Sequence, residues 1–261
     1  MSTRLVATDL DGTLLRGDGA VSARTTNALR AVEEAGILVV FVTGRPLRWA
    51  RDVFEHVAAH GRAIISNGAL VWDVGADRAE MVRGIDRVTG LDVCARLRAA
   101  VPGSTYAVET LGGIALEEGF VERYAVPAGA RRGTLDEIWE EPVVKLLARH
   151  EELSPQEFWD AAEGVIGQQV EITWSSSTTL LEMSARGVTK ASTLELMCAE
   201  RGIVADEVIA FGDMPNDLPM LAWAGRSCAM ANAHPTVRAA ADEVIASNDD
   251  DGVAAVLEKL L

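Results

Sequence analysis

The chain has no apolar run approaching the ~18–20 residues needed to cross a bilayer, so no membrane-spanning helix is expected. It has only three cysteines (Cys94, Cys198 and Cys228), odd in number and widely spaced, with no C-x-x-C pair. That pattern excludes a disulfide framework and zinc-site spacing, and it fits small buried hydrophobes in a reducing compartment. Positive charge is also scarce. Lysines and arginines number 24 against 39 aspartates and glutamates, for a formal net charge of −15. Such a field repels a phosphate backbone, so no nucleic-acid partner is expected. There is no G-x-S-x-G elbow, no Walker A loop and no G-x-G-x-x-G, and neither an internal repeat nor a low-complexity tract. The first residues lack a signal-peptide pattern, which makes the cytoplasm the expected compartment.

Hydrophobic residues make up 49% and charged residues 24%, the balance of a soluble globular chain. A length of 261 residues has room for one α/β core with an inserted module. The first eighty or so residues alternate between strand and helix patterns. Leu5–Thr8, Ile37–Val42 and Ala63–Ser66 read as strands, and Ala69–Trp72 as a continuation beyond a turn at Asn67-Gly68. Ser22–Ala35 and Pro46–His60 read as helices between them, the signature of a parallel sheet with helices on its faces.

From about Gly84 the texture changes. Asp86–Ala100 and Ser154–Val165 read as helices, whereas Thr105–Val108 with Ile114–Leu116, and Gln169–Trp174 with Thr178–Met183, read as hairpins. Val143–Ala148 is a further strand. The α/β pattern resumes after Gly187, with helices expected at Thr189–Arg201, Asp217–Ala224, Pro235–Ala241 and Val253–Leu260. Strands are expected there at Val208–Phe211 and Ser227–Met230. The organisation expected is a core of residues 1–83 and 184–261 with an α+β insertion at 84–183. Gly84 and Gly187, near the two crossings, are candidate hinges or plain turns. The acidic stretch Asn248–Gly252 reads as a solvated loop before the last helix.

The informative motifs all follow apolar strand runs: Asp9-Leu10-Asp11-Gly12-Thr13, Thr43-Gly44-Arg45, Ser66-Asn67-Gly68, and Gly212-Asp213-Met214-Pro215-Asn216-Asp217. In an open parallel sheet, ligands bind outside the carboxyl ends of the strands, so these loops should converge on one crevice. Asp9, Asp11, Asp213 and Asp217 would then bring up to four negative charges together, a hard-oxygen set suited to Mg²⁺. Asp217, at a helix start, has a helix N-cap as its lesser alternative. On an extended segment Asp9 and Asp11 point the same way, so one can attack phosphorus while the other gives a proton to the leaving oxygen. Gly12 lets the backbone turn sharply, and Thr13 is expected to bond locally within the loop.

With these motifs in place, the chain resembles the haloacid dehalogenase superfamily phosphatases, in particular the Cof-type branch with its large C2-type cap. The strings DLDGTLL, VTGR, SNGA, GVTK and GDMPNDLPML carry the resemblance, and ANAHPTVRAAADEVIASNDDDGV matches the C-terminal signature, so it spans nearly the whole chain. The resemblance implies a Rossmann-like parallel sheet core and an aspartyl-phosphate reaction. It makes Asp9 the nucleophile, Asp11 the general acid–base, Thr43 the phosphoryl-binding hydroxyl and Lys190 the lysine that steadies Asp9 and the transferring phosphoryl group. It places Mg²⁺ on Asp9, on the backbone carbonyl of Asp11 and on Asp213, with Gly44, Arg45, Asn67, Asn216 and Asp217 in support. Ala231 stands where the branch carries glycine, which puts a methyl group and a restricted backbone near the crevice.

Other groups carry less. His56 and His60 are four apart on the expected helix, without the carboxylate pattern of a zinc site, and His150 and His234 are isolated. Arg131, Arg132 and Lys145 in the insertion are candidate contacts for an anionic substrate. The six tryptophans read as core or interface residues. The function implied is Mg²⁺-dependent hydrolysis of a small phosphate monoester, a sugar phosphate before a phosphorylated cofactor or precursor. A phosphomutase using the same aspartyl phosphate is the enzymatic alternative, and a non-catalytic sugar-phosphate-binding regulator the non-enzymatic one. The partner expected is a small phosphorylated metabolite, for a monomer or a homodimer.

Overall fold

Leu5, Val6 and Ala7 are fully buried because their strand, β1 (Leu5–Thr8), runs between two parallel neighbours and has no solvent face. The computed structural model describes residues 2–57, 61–173 and 179–261. After β1 come α1 (Ala23–Glu34), β2 (Leu38–Val42), α2 (Leu47–Val57), β3 (Arg62–Ile65), β4 (Leu70–Asp73) and β5 (Arg78–Val82). The middle of the chain forms α3 (Arg87–Ala100), β6 (Thr105–Thr110), β7 (Gly113–Glu117), β8 (Arg131–Gly133), α4 (Leu135–Ile138), β9 (Val143–Arg149), α5 (Pro155–Ile166), β10 (Val170–Thr173) and β11 (Leu180–Ala185). The last part forms α6 (Lys190–Glu200), β12 (Val208–Gly212), α7 (Leu218–Trp223), β13 (Arg226–Met230), α8 (Pro235–Ala240), β14 (Glu243–Ile245) and α9 (Gly252–Leu257). Among the described residues no helix is long and apolar enough to cross a membrane.

Internal contacts divide the chain into two units. One comprises residues 1–45, 49–81 and 190–261, the other residues 46–48 and 82–189. The second crossing falls beyond residue 184 because β11 runs on to Ala185 and a turn at Gly187, with φ +71°, follows it. Gly84 serves close packing: a Cβ there would lie 2.9 Å from the Val143 carbonyl oxygen.

The first unit holds the sheet β14-β13-β12-β1-β2-β3-β4-β5. β14, β13, β12, β1, β2 and β3 are mutually parallel, and β4 turns back antiparallel on β3. The fold is therefore the α/β class expected, with three additions. β4 reverses direction instead of continuing β3, and β5 and β14 extend the two edges. β5 alternates exposed and half-buried residues (Arg78, Glu80 and Val82 outward), an edge pattern with little apolar signal. Ser22 caps α1 by accepting from Thr25 N.

The second unit is built on the sheet β10-β11-β9-β6-β7-β8, antiparallel except for the β7–β8 pair. One face carries Tyr106, Val108, Leu146, Ala148, Leu181 and Met183 into a core with Val93 and Leu97 of α3 and Phe158 and Ala162 of α5. The other face carries Ala107, Ile114, Leu116, Leu147 and Leu180, packed with Phe120. Asp86 and Ser154 cap α3 and α5, as Asp and Ser at those positions should. β8 and α4 were not legible in the sequence, and residues 174–178, part of the expected hairpin, lie outside the described residues.

Candidate active site

Parallel pairing sets the site. β1, β2, β3 and β12 all point the same way, so the loops after Thr8, Val42, Ile65 and Gly212 open on one edge of the sheet. Asp9 N donates to the Phe211 carbonyl at 3.0 Å, which continues the β1–β12 ladder by one residue and fixes the Asp9 backbone. Thr43 N donates to Ile64 O at 2.8 Å in the same manner beside β3.

Lys190 draws the acids together. Its Nζ lies 2.6 Å from Asp9 Oδ1 and 2.7 Å from Asp217 Oδ1, and all three side chains are buried. Asp217 Oδ2 accepts from Asp213 N at 3.1 Å and from Met214 N at 3.0 Å, so this carboxylate both ties the β12 loop and faces the lysine. Thr13 Oγ1 donates to Asp213 Oδ1 at 3.1 Å. Thr13 therefore reaches across the crevice rather than bonding within its own loop. Gly12 is required there: its φ is +72°, and a Cβ would come within 2.3 Å of Asp213 Oδ2.

Burial sets the electrostatics. It pushes the Asp9 carboxyl well above the usual carboxylate range. Lys190 pulls it back, and the nearby Asp217 and Asp213 charges raise it further. Burial and the Asp217 charge push Asp213 up to about 6, against the hydrogen bond from Thr13. Burial disfavours the Lys190 ammonium, but Asp217 and Asp9 outweigh it and hold the proton more tightly than usual. One cation facing three acids leaves negative charge to be compensated. Carboxylate oxygens of Asp9, Asp213 and Asp217, one from each, lie within 4.8 Å of one another, a hard-oxygen donor set that suits a divalent cation.

Asp11 lies apart from that cluster. Its carboxylate is held by the guanidinium of Arg45, with Nε 2.8 Å from Oδ2 and Nη2 2.5 Å from Oδ1, and it is more than half exposed. Thr43 is fully buried, and its Oγ1 accepts from Arg45 N at 3.0 Å. Ser66, Asn67 and Gly68 take φ values of +52°, +56° and +111°, a left-handed run that only a tightly held loop sustains. Thr193 Oγ1 donates to Gly68 O at 2.7 Å and ties that loop to α6. A Cβ at Gly44 would sit 2.9 Å from Asn67 Oδ1, so Gly44 lets these two loops close up. Asn216 is half-buried in the turn that carries Asp217.

Some contacts were not anticipated. Asn232 Nδ2 donates to Gly12 O at 2.7 Å, and its Oδ1 accepts from Asn248 N at 3.2 Å, so it props the loop of the two aspartates. The stretch read as a solvated loop clasps the same segment. Arg16 pairs with Asp251 at 2.7 Å, Gly17 N donates to Asp249, and Asn248 Nδ2 donates to Leu15 O. Ala231 is exposed and not left-handed, so its methyl group meets no backbone restriction.

The family comparison fits this arrangement: the model of the haloacid dehalogenase-like hydrolases matches residues 6–257. The chain belongs to that family. This hydrolase is 28% identical over 259 residues to a 5-amino-6-(5-phospho-D-ribitylamino)uracil phosphatase of Bacillus subtilis, covering 96% of this chain and 93% of the relative. It is 30% identical over 288 residues to another Bacillus subtilis protein named a phosphatase, covering 99% of this chain and all of the relative. The solved structure of a haloacid dehalogenase-like hydrolase from B. subtilis superposes with a TM-score of 0.81 at 27% identity, over 99% of this chain and 100% of that one.

Within the second unit of this hydrolase the three basic candidates do not cluster. Arg131, on the edge strand β8, pairs with Glu140 at 2.8 Å, and Arg132 donates to the Phe120 carbonyl at 3.4 Å. Lys145 is buried and pairs with Glu182 at 2.5 Å. The remaining groups fall into structural places. His150 Nε2 lies 3.1 Å from the Pro102 carbonyl and its Nδ1 accepts from Glu152 N and Leu153 N, while His234 caps α8. The His56 side chain and all of His60 lie outside the described residues. Trp72 and Trp139 are buried, and the three cysteines are buried free thiols.

Proposed function

We propose that this hydrolase cleaves a phosphate monoester of a small metabolite through a phosphorylated Asp9, with Mg²⁺ as cofactor. The observation that carries the reading is Lys190, buried between Asp9 and Asp217 beside Asp213. A buried cation shared by two acids, with a third beside them, is arranged for anionic oxygens that arrive from outside.

In the first step Asp9 Oδ2 attacks phosphorus, the bond to the leaving oxygen breaks, and Asp11 delivers a proton to that oxygen. Asp11 must give up Arg45 to do so, which leaves the guanidinium free to meet phosphoryl oxygens beside the Thr43 hydroxyl and the Lys190 ammonium. In the second step Asp11 takes a proton from water as the water oxygen attacks phosphorus. The bond to Asp9 breaks, inorganic phosphate leaves, and the free carboxylate is restored. Asp9, Asp213 and the Asp11 carbonyl are the groups we assign to Mg²⁺, with Asp217 fixing the loop. When bound, the ion neutralises charge on the transferring group and orients it.

A phosphorylated sugar or sugar alcohol is the substrate class we favour. The ribityl phosphate in the name of the Bacillus subtilis relative supports it. To the second unit, residues 82–189, we assign discrimination between leaving groups, with Lys145, Arg131 and Arg132 as its basic contacts. A cytoplasmic location accords with three free thiols. A phosphate-release screen over phosphorylated metabolites, with Mg²⁺ and with a chelator, tests the reading. Mg²⁺-dependent release from sugar phosphates is expected. Transfer to a sugar hydroxyl without release, or release unaffected by chelator, would overturn it.

A further inference from the structure

Two cations are buried on the same face of β9, and among the described residues only Lys145 has an ion-pair partner. Lys145 and Arg149 are four residues apart on an extended strand, with Leu147 between them on that face. Lys145 stands opposite Glu109 on β6 and pairs with Glu182 on β11. Arg149 stands opposite Thr105 on β6 and Leu180 on β11, neither of which is charged. It is 1% exposed, and Nε, Nη1 and Nη2 have no hydrogen-bond partner among the described residues.

The nearby acids are committed elsewhere. Glu122 accepts from Arg123 N and Tyr124 N within its own turn, and Glu151 pairs with Arg123 at 3.3 Å. What holds the guanidinium is the Phe120 ring, with Cζ 5.6 Å from its centroid. Phe120 is fixed in turn by its N–H to Glu117 O at 3.0 Å and by Arg132 on its carbonyl. Burial loosens the hold of Arg149 on its proton and the Arg123 charge adds to the effect, while the Glu122 and Glu151 charges act against it without hydrogen-bonding the guanidinium. A buried, oriented guanidinium with all its donors unused is costly to the fold unless an anion completes it.

We propose that Arg149, in the second unit, is the receptor of an oxyanion site that takes a carboxylate or phosphate group on the guanidinium fork. The planar donor set matches two oxygens of either group, with the Phe120 face backing the cation. The anion has two sources, a second charged group on the phosphorylated substrate or a free inorganic oxyanion. The site does not depend on the phosphatase reading. Only the kinetic comparison below does.

The probe is sodium sulfate, titrated against sodium chloride of equal ionic strength. In the wild type the Nε–H resonance of Arg149, identified by its loss in Arg149→Lys, should move and saturate. The saturable part of the thermal-shift response to sulfate should fall in Arg149→Met and survive in part in Arg149→Lys. The general salting effect of sulfate is shared by all three proteins. kcat/KM on phosphoglycolate against ethyl phosphate separates the two sources. A loss of roughly tenfold in Arg149→Met, confined to the carboxylated ester, identifies a substrate group. Equal rates with the sulfate response still lost identify a free anion. An Nε–H resonance that stays fixed throughout the titration, or an Arg149→Met protein with the full sulfate response, would overturn the proposal. The resonance arm reads the wild type, so it holds even if Arg149→Met does not fold.

Discussion

Lys190 and Asp9 stand 181 residues apart in the chain, yet their Nζ and Oδ1 atoms meet at 2.6 Å in a place closed to solvent. Lys190 also holds Asp217, so its removal leaves two buried carboxylates facing each other. We expect Lys190→Met to cost about 3–5 kcal/mol of stability, the range for breaking a buried pair on one side. Mg²⁺ should raise the Tm of this variant by more than that of the wild type, because a cation then replaces the lost charge. Chemical denaturation with and without Mg²⁺ checks both. A Tm unchanged from wild type would mean that the lysine does not neutralise this cluster.

Asp11 is separated from Asp9 by one residue and differs from it in environment, exposed and held by Arg45 where Asp9 is buried. In the mechanism we propose it is the proton donor, and it then matters most when the leaving oxygen is a poor leaving group. Asp11→Asn should therefore slow sugar phosphates by a larger factor than aryl phosphates, and phosphorylated protein should accumulate because attack by water lacks its base. Rates for both ester classes, with intact-protein mass spectrometry, decide it. Equal losses and no phosphoprotein would leave Asp11 a structural role.

Asp242 provides a pH-dependent contribution away from the site. Its Oδ2 accepts from Ser227 Oγ at 2.7 Å and Ser227 N at 2.8 Å, and these bonds hold the carboxyl below its ordinary value. The folded value is lower than the unfolded one of about 3.9, so the stabilisation is complete above that pH and is lost as pH falls through the folded value. The Tm difference between wild type and Asp242→Asn should be constant from neutrality to about pH 5 and should shrink below about pH 4. A difference that persists undiminished into that acid range would contradict the assignment.

Arg131 and Arg132 are exposed enough to replace without disturbing the core of the second unit. If they read the leaving group, changing both to Gln should reorder the preference among metabolites while sparing an aryl phosphate that offers them nothing. kcat/KM for several esters in wild type and variant checks this. A uniform loss across all of them would move discrimination to other residues.

The convergence of the candidate site's loops was legible because its residues come in short strings after apolar runs, and parallel pairing of β1, β2, β3 and β12 brings those strings to one edge. The roles inside the strings were less legible. Asp217 could also be read as the N-cap of α7, but its side chain makes no such cap bond: one oxygen accepts from the Asp213 and Met214 N–H groups ahead of it, and the other faces Lys190. Thr13 finds its partner 200 residues away, a distance that local turn chemistry does not encode. The acidic stretch near residue 250 looks solvated because its charges are many, and Arg16, the partner of Asp251, has no pattern that announces it. β5 and β14 escape because edge strands with alternating charge carry little apolar periodicity. Arg149 ends an otherwise apolar strand except for Lys145, and its burial is a consequence of tertiary packing by Phe120.

The central claim is that Asp9 is the group that becomes phosphorylated, and Asp9→Asn tests it most directly. Asn keeps the size of the side chain and can still accept a hydrogen bond from Lys190, so the variant should fold with the wild-type circular dichroism spectrum. An amide is a poor nucleophile and a poor ligand for Mg²⁺, so phosphate release from the best substrate should fall by more than ~1000-fold. A folded Asp9→Asn protein that keeps more than about a tenth of wild-type kcat would contradict the mechanism, because no loss of nucleophile is compatible with that rate.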